Sequence, residues 1–128
     1  SPDCEVCGLD DTLQHFFIEC NLVQNVWNNL TTWWATKDPT HTPLILTHKE
    51  KLFGKSIREY KAYNINLILF HANKFIHDRK MCAKLEVSFA AFLITLKRHL
   101  DYEKIICIKN NDYNSFNTNW LWLYDQMF

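Results

Sequence analysis

Residues 4–27 of the chain read CEVCGLDDTLQHFFIECNLVQNVW. They include Cys4, Cys7, His15 and Cys20, in the spacing Cys-x2-Cys-x7-His-x4-Cys. Zn²⁺ prefers thiolate and imidazole ligands in a tetrahedral arrangement, and four protein ligands leave no open position for a reacting water molecule. The spacing therefore predicts one structural zinc ion held by these four side chains.

The backbone that carries these ligands is predicted to turn tightly and then enter a short helix. Gly8 follows Cys7 directly, and glycine eases a turn whose backbone N–H groups can donate hydrogen bonds to the sulfur atoms. Asp11 or Thr12 can cap the short helix, because either side chain accepts from the free N–H groups at a helix start. We expect this helix to run to about Glu19.

A second, longer helix is predicted after Cys20. His15 and Cys20 are five positions apart, about 140° around a regular α-helix, so one uninterrupted helix would not direct both side chains at one metal ion. We therefore expect a break near Cys20 and a new helix that begins at Asn21. Apolar residues then recur at helical spacing, which predicts a buried face. That face comprises Leu22, Val23, Val26, Trp27, Leu30, Trp33 and Trp34.

The remainder of the chain predicts three more helices, at about 57–83, 86–108 and 120–128, with a loop at 35–48 and a polar segment at 110–119. Only two glycines and three prolines interrupt the chain, which favours long elements over many short strands. The predicted inward residues are Ile65, Ile68, Leu69, Ala72, Phe75, Ile76 and Ala83, then Phe89, Leu93, Leu96 and Leu100, then Trp120, Leu123, Tyr124 and Met127.

Length and composition indicate a single domain over residues 1–128. Hydrophobic residues make up 48% of the chain, enough to form a packed core and to argue against disorder. We predict an all-α fold, in which a zinc-stapled N-terminal segment precedes a small bundle of amphipathic helices. Residues 1–34 would hold the zinc-binding segment and the first helices, and residues 49–128 the helical region.

Cysteine usage favours a reduced, intracellular protein. Five cysteines is an odd number, and a disulfide framework would join near neighbours such as Cys4 and Cys7. Cys82 and Cys107 stand among apolar residues and are predicted to be buried thiols. We expect no secretory leader and no membrane contact, because the sequence contains no apolar run near the ~20 residues that cross a bilayer.

Charge is distributed unevenly, although the net charge is zero. Residues 1–48 carry one lysine and six acidic residues, whereas residues 49–109 carry 13 basic and six acidic residues. A basic middle region suggests a polyanionic partner, although a solvated helix face can also be rich in lysine. The candidate nucleic-acid contacts are Lys74, His77, Lys80, Lys84, Lys97 and Arg98, on the two long predicted helices.

Two further side chains carry separate expectations. Arg79 falls on the apolar side of its helix, where we expect an internal salt bridge or a contact with a helix cap. Trp122 falls opposite the apolar face of the last segment. A tryptophan at the surface suggests a partner or a stacked base as an alternative to ordinary packing.

The segment Cys4–Trp27 resembles the zinc-binding segment near the C-terminus of LINE-type (non-LTR) retrotransposon reverse transcriptases. That family pattern reads roughly Cys-x2-Cys-Gly-x2-Glu-Thr-x2-His-x-Phe-x2-Cys-Pro-x-Val-x3-Trp. This chain has Asp11 where the family has Glu, and Asn21 where the family has Pro, and both are residues typical of a helix start. The matching residues are Cys4, Cys7, Gly8, Thr12, His15, Phe17, Cys20, Val23 and Trp27.

Residues 69–77 and Lys80 are similar to a downstream Ala-Lys-x-x-Ile-His stretch of vertebrate-type members, with Asn73 inserted. The resemblance implies a non-catalytic C-terminal domain of the element's second open reading frame product. In that family the full protein nicks DNA with an endonuclease domain and copies its own RNA at the nick. The C-terminal domain is thought to hold RNA or target DNA to the polymerase. The implied partners are the element RNA, target DNA and the rest of the reverse transcriptase, in a cytoplasmic ribonucleoprotein and in the nucleus.

Two other classes of function remain open from the sequence. The chain could be a zinc-stabilised protein-interaction domain that packs against the polymerase without touching nucleic acid. It could also be an independent enzyme such as a nuclease, but no histidine pairs with a credible nucleophile or an open metal site. We therefore expect no enzymatic activity of this chain alone. Binding measured against salt distinguishes the first alternative from nucleic-acid binding, because phosphate contacts weaken as salt rises.

Overall fold

The computed structural model describes residues 4–10, 12–82 and 86–128. Within these ranges the chain is predominantly helical and contains no β-strand, which confirms the all-α prediction. The α-helices are α1 (Gln24–Lys37), α2 (His48–Phe53), α3 (Ala62–Met81), α4 (Phe89–Lys109) and α5 (Tyr113–Tyr124). A π-helical turn at His15–Glu19 and a 3₁₀ turn at Asn21–Val23 precede α1.

The helices pack around α4, which contacts α1, α3 and α5. Leu22 was expected in the core but is 41% exposed, because it lies in the 3₁₀ turn, whose tighter winding departs from the face of α1. Phe89, Leu93 and Tyr124 are half-buried, and Ala83 lies outside the described residues. The other predicted inward residues are buried, namely Val23, Val26, Trp27, Leu30, Trp33, Trp34, Ile65, Ile68, Leu69, Ala72, Phe75, Ile76, Leu96, Leu100, Trp120, Leu123 and Met127.

Two helical segments differ from the sequence-based expectation. Helix α2 follows Thr47, whose hydroxyl accepts from the backbone N–H of Glu50 at 3.1 Å, while the Glu50 carboxylate accepts from the N–H of Thr47 at 2.9 Å. This reciprocal cap starts a helix that the apolar pattern did not reveal. Helix α5 begins at Tyr113, inside the segment expected to be a polar break, because Phe116 is buried there and anchors the first turns to the core.

The connection between α1 and α3 is organised by the buried carboxylate of Asp38. It accepts from the hydroxyls of Thr40 at 2.6 Å and Tyr60 at 3.0 Å, and the Lys61 ammonium lies 3.6 Å away. Burial is the largest influence and raises the pKa of Asp38, but the two hydrogen bonds and the Lys61 charge outweigh it and hold that pKa below its usual range. Helix α3 begins only after this network, at Ala62, later than the sequence predicts.

Trp122 is part of the packed structure rather than an open surface. Its ring meets that of Trp34 edge to face with centroids 5.6 Å apart, and the Lys61 ammonium lies 3.2 Å from the Trp122 centroid. Its indole N–H donates to the backbone oxygen of Asn119 at 3.0 Å. The expected alternative of a free stacking surface at Trp122 is therefore wrong, because both the ring and its N–H already have partners.

Three other side chains also differ from expectation. Cys82 is exposed, because it follows the last turn of α3 and leaves the core, and Cys107 is only half-buried. The prediction of two buried thiols is therefore wrong for Cys82. Arg79 lies over the ring of Phe75, at 4.9 Å from its centroid, and has no ion pair among the described residues. Its aliphatic stem and guanidinium cover the apolar face in place of the expected salt bridge.

Candidate metal centre and basic surface

The four predicted ligands converge at the N-terminal end of the fold. The ligand atoms of Cys4, Cys7, His15 and Cys20 all lie within 4.8 Å of one another. The Cys20 sulfur is 3.8 Å from that of Cys4 and 3.9 Å from that of Cys7. For a tetrahedral ion with metal–sulfur bonds of about 2.3 Å, neighbouring sulfurs are expected about 3.8 Å apart. The cluster is therefore close enough and correctly spaced to hold one metal ion.

His15 supplies independent evidence that these residues fit a metal. Its side chain is 3% exposed, and its Nε2 atom is buried without a hydrogen-bond partner among the described residues. A buried ring nitrogen without a partner is costly, and native structures rarely leave one unsatisfied. A bond from Nε2 to a metal among the three sulfurs would provide the missing partner.

The helical geometry explains how His15 and Cys20 reach the same point. Between them the chain forms a π-helical turn, in which the N–H of Cys20 donates to the backbone oxygen of His15 at 2.8 Å. This widened turn aligns residues five positions apart, which a regular α-helix cannot do. The predicted break at Cys20 is confirmed, and the hydroxyl of Thr12 caps the turn by accepting from the N–H of His15 at 3.1 Å.

The loop around the first two cysteines closes by backbone hydrogen bonds. The N–H of Cys4 donates to the oxygen of Leu9 at 2.7 Å, and the N–H of Gly8 donates to the oxygen of Cys4 at 2.8 Å. Gly8 has a φ of 70°, a left-handed conformation that glycine adopts without steric cost. The backbone N–H of Asn21 lies 3.4 Å from the Cys7 sulfur and donates to it.

The two buried thiols differ in their tendency to ionise. The pKa of Cys4 is lowered to about 6, first by the backbone N–H of Cys7 and then by the His15 side chain and the N–H of Val6. Burial raises the pKa of Cys20, while the backbone N–H of Leu22 and the ammonium of Lys80 act in the opposite direction. Donors aimed at sulfur favour the thiolate, which is the form that binds metal.

Side chains of two core helices donate hydrogen bonds to the backbone of the segment that carries the candidate ligands. The indole N–H of Trp27, a buried residue of α1, donates to the backbone oxygen of Phe17 at 2.7 Å. From α3, the Lys80 ammonium donates to the backbone oxygen of Phe16 at 2.8 Å and lies 4.1 Å from the centroid of that ring. No sequence signal links Lys80 to a site more than sixty positions earlier, so its role appears only in the fold.

The predicted nucleic-acid contacts on α3 do not form one free basic row. Lys74 pairs with Asp78 at 2.8 Å, and His77 lies 3.3 Å from the same carboxylate. Lys80 turns toward the metal centre, as described above. Lys84 lies outside the described residues.

The two candidates on α4 differ from each other. Lys97 pairs with Asp101 at 2.9 Å and also donates to the hydroxyl of Tyr124 at 3.1 Å. Arg98 is exposed and has no ion pair within the described part of the chain. Of the predicted contacts that the structure describes, the cations that remain accessible are therefore mainly Lys74, whose partner is a surface carboxylate, and Arg98.

Comparisons with protein-family models, with curated proteins and with solved structures gave no match. The resemblance to LINE-type reverse transcriptases thus depends on the residues of the segment Cys4–Trp27. Across the described residues, none of the helices combines the length and the apolar character needed to span a bilayer.

Proposed function

We propose that the chain is a zinc-stapled, non-catalytic C-terminal domain of a LINE-type retrotransposon reverse transcriptase, and that it binds RNA or target DNA during target-primed reverse transcription. The observation that carries this proposal is the buried cluster of three cysteines and one histidine in the spacing of that family. All four ligand positions come from protein side chains, which is typical of a structural site.

Zinc is the metal that the donor set favours. Three soft sulfur donors and one imidazole at tetrahedral spacing match its preference, and the ion would supply a rigid crosslink between the Cys4 loop and the π-helical turn. Three thiolates with Zn²⁺ carry a net charge of −1, so the centre itself is a poor surface for phosphates. In this proposal its task is to hold the start of the domain against α1 and α3.

The proposed nucleic-acid surface is the basic region of α3 and α4, with Lys74 and Arg98 as its leading members. The Lys74–Asp78 pair is 55% exposed on both sides, and such pairs contribute only about 0–1 kcal/mol, so a phosphate can replace the carboxylate at little cost. Lysine dominates over arginine in this region, which favours contacts with the backbone over reading of bases.

Salt-titrated binding of a labelled single-stranded RNA tests this function. The double variant K74A/R98A should bind more weakly across unrelated RNA sequences, because phosphate contacts carry no sequence information. The slope of log affinity against log salt should shrink by about 0.7 for each lost contact on a single strand. The matched control is R58Q, which removes an exposed charge before α3. Affinity and slope that both survive in K74A/R98A would rule out this surface.

The alternative is a protein-interaction domain, and one feature of α4 favours it. Ile94, Tyr102, Ile105 and Ile106 are 49–67% exposed on the side of α4 away from the core. A group of exposed apolar side chains on one helix can mark a protein contact. If wild-type protein binds no RNA in a salt-dependent way, while I105E weakens association with the rest of the reverse transcriptase, this alternative replaces nucleic-acid binding.

A further inference from the structure

A small cleft with a volume of about 190 Å³ lies where α3 packs against α4. Its polar lining comes from both helices, and most of these groups are cations or hydrogen-bond donors. Walls of this kind focus a positive field into a cleft and raise the local concentration of anions. The polar lining residues are His71, Lys74, Asp78 and Arg79 from α3, and Thr95 and His99 from α4.

Two histidines form one wall of this cleft. The rings of His71 and His99 are stacked with centroids 4.0 Å apart and planes at 24°. The Nδ1 atom of His71 is buried and has no hydrogen-bond partner among the described residues. The pKa of His71 is lowered to about 4, first by burial and then by the charges of His99 and Lys74. The cleft therefore combines a positive potential with a buried nitrogen that lacks a partner.

The two cations of the cleft are available for an anion. Arg79 has no carboxylate within ion-pair distance in the described part of the chain, and its guanidinium is held against Phe75. A guanidinium fork matches the oxygens of phosphate in a bidentate arrangement. Lys74 is engaged only by Asp78, in an exposed pair that exchanges readily.

We propose that this cleft binds one phosphate group, with Arg79 donating from α3 and His99 donating from α4. The inference rests on the proposed function, under which the phosphate belongs to the nucleic-acid backbone. A bound phosphate also favours the protonated form of His71, whose Nδ1 then becomes a donor with an acceptor nearby. Asp78 is the one carboxylate of the lining, and the two cations of the lining, Lys74 and Arg79, outnumber it.

The first test uses inorganic phosphate as the probe and the ring carbon resonances of His71 and His99 as the readout. In wild-type protein and in the control R58Q, phosphate at pH 6 should shift both sets of resonances saturably, whereas sodium chloride at equal ionic strength should not. R79Q should abolish the saturable shift, and R79K should retain part of it, because lysine keeps the charge without the fork. Equal shifts with chloride, or full shifts in R79Q, would overturn the proposal.

The second test separates this cleft from the proposed function. R79Q should bind single-stranded RNA about tenfold more weakly, the loss expected for one charge-assisted hydrogen bond, and inorganic phosphate should compete with RNA in wild-type protein only. If wild-type protein binds RNA and R79Q keeps the same affinity and the same salt dependence of that affinity, the phosphate site is ruled out and the proposed function stands. If phosphate shifts the histidines but RNA does not bind, the site takes free phosphate and the proposed function is wrong. The far-ultraviolet circular dichroism of R79Q serves as the folding control.

Discussion

Lys80 belongs to the basic region that predicts nucleic-acid contacts, yet in the fold it contacts the segment that carries the candidate metal ligands. Its ammonium is bonded to the backbone of Phe16, and its charge favours the thiolate form of Cys20. With a divalent ion bound, three thiolates would leave a net charge of −1, which the neighbouring ammonium would neutralise. A substitution of Lys80 would therefore disturb the metal centre first, so Lys74 and Arg98 are the cleaner positions at which to test RNA binding.

His71 leads to a prediction about stability and pH. Its pKa is about 4 in the folded chain against an ordinary value of 6.5, so between these values the unfolded chain binds a proton that the folded chain does not. The free energy of unfolding should therefore fall as pH falls through this window. Between pH 7.5 and pH 5 the loss should be at most about 2 kcal/mol, and less where water screens the half-buried ring.

Urea denaturation of wild-type protein and H71Q at these two pH values measures this effect. The loss of stability should be smaller in H71Q, because glutamine does not titrate. The difference between the two proteins reports the contribution of the stacked pair that His71 forms with His99. An identical pH dependence in the two proteins would show that His71 is protonated as readily in the folded chain as in the unfolded one.

At the scale of elements, short non-standard turns and caps position the site. The π-helical turn brings His15 over Cys20, and the 3₁₀ turn then redirects the chain into α1. Helix α2 lies against the π-helical turn and against α3, and the side chain of Gln14 contacts the ring of His48 at 3.1 Å. The metal-binding segment therefore depends on α2, a helix of only six residues.

Loss of the reciprocal cap of α2 should consequently lower the stability of the protein more than the length of that helix suggests. T47A removes the hydroxyl that accepts from the backbone N–H of Glu50, and loss of an N-terminal cap costs about 1 kcal/mol, within a range of roughly 0.5–2. Urea denaturation should show this decrease. T118A is the matched control, because Thr118 is exposed within α5 and its replacement should not lower stability, since alanine favours a helix more than threonine does. Equal stability of both variants would indicate that packing alone holds α2.

At the scale of the whole molecule, sequence patterns predicted the features that are local along the chain. The metal ligands lie within one short segment, and the apolar stripes of α1, α3 and α4 repeat at helical spacing, so each could be inferred before the fold was known. Helix α2 could also have been found, since Thr47 and Glu50 have the spacing of a capping box. The phosphate contacts proposed at Lys74 and Arg98 stay predictions.

The features that the sequence could not reveal arise from contacts between residues that are far apart in the chain. Lys61 and Trp34 pack against the ring of Trp122. Helix α5 begins before the predicted start at residue 120 because Phe116 is buried in the core. His71 and His99 stack only because α3 and α4 are adjacent. These pairs have no fixed spacing in sequence, so composition and periodicity carry no information about them.

Removal of the metal should loosen the metal-binding segment and leave the helical core folded. C20S removes one ligand and should release the ion, with loss of protection from hydrogen exchange in residues 4–23 and in α2, which packs on the π-helical turn. Helices α3, α4 and α5 should keep their protection, because their buried residues, among them Phe75, Leu96 and Trp120, belong to a large apolar core in which Cys4 and Cys20 are only two of many members. Metal content by mass spectrometry should fall from one equivalent to none, while C82S, which changes an exposed thiol, should retain the ion and all protection. Loss of protection throughout α3 and α4 in C20S would mean that the ion stabilises the whole domain, and full metal retention in C20S would remove Cys20 from the ligand set.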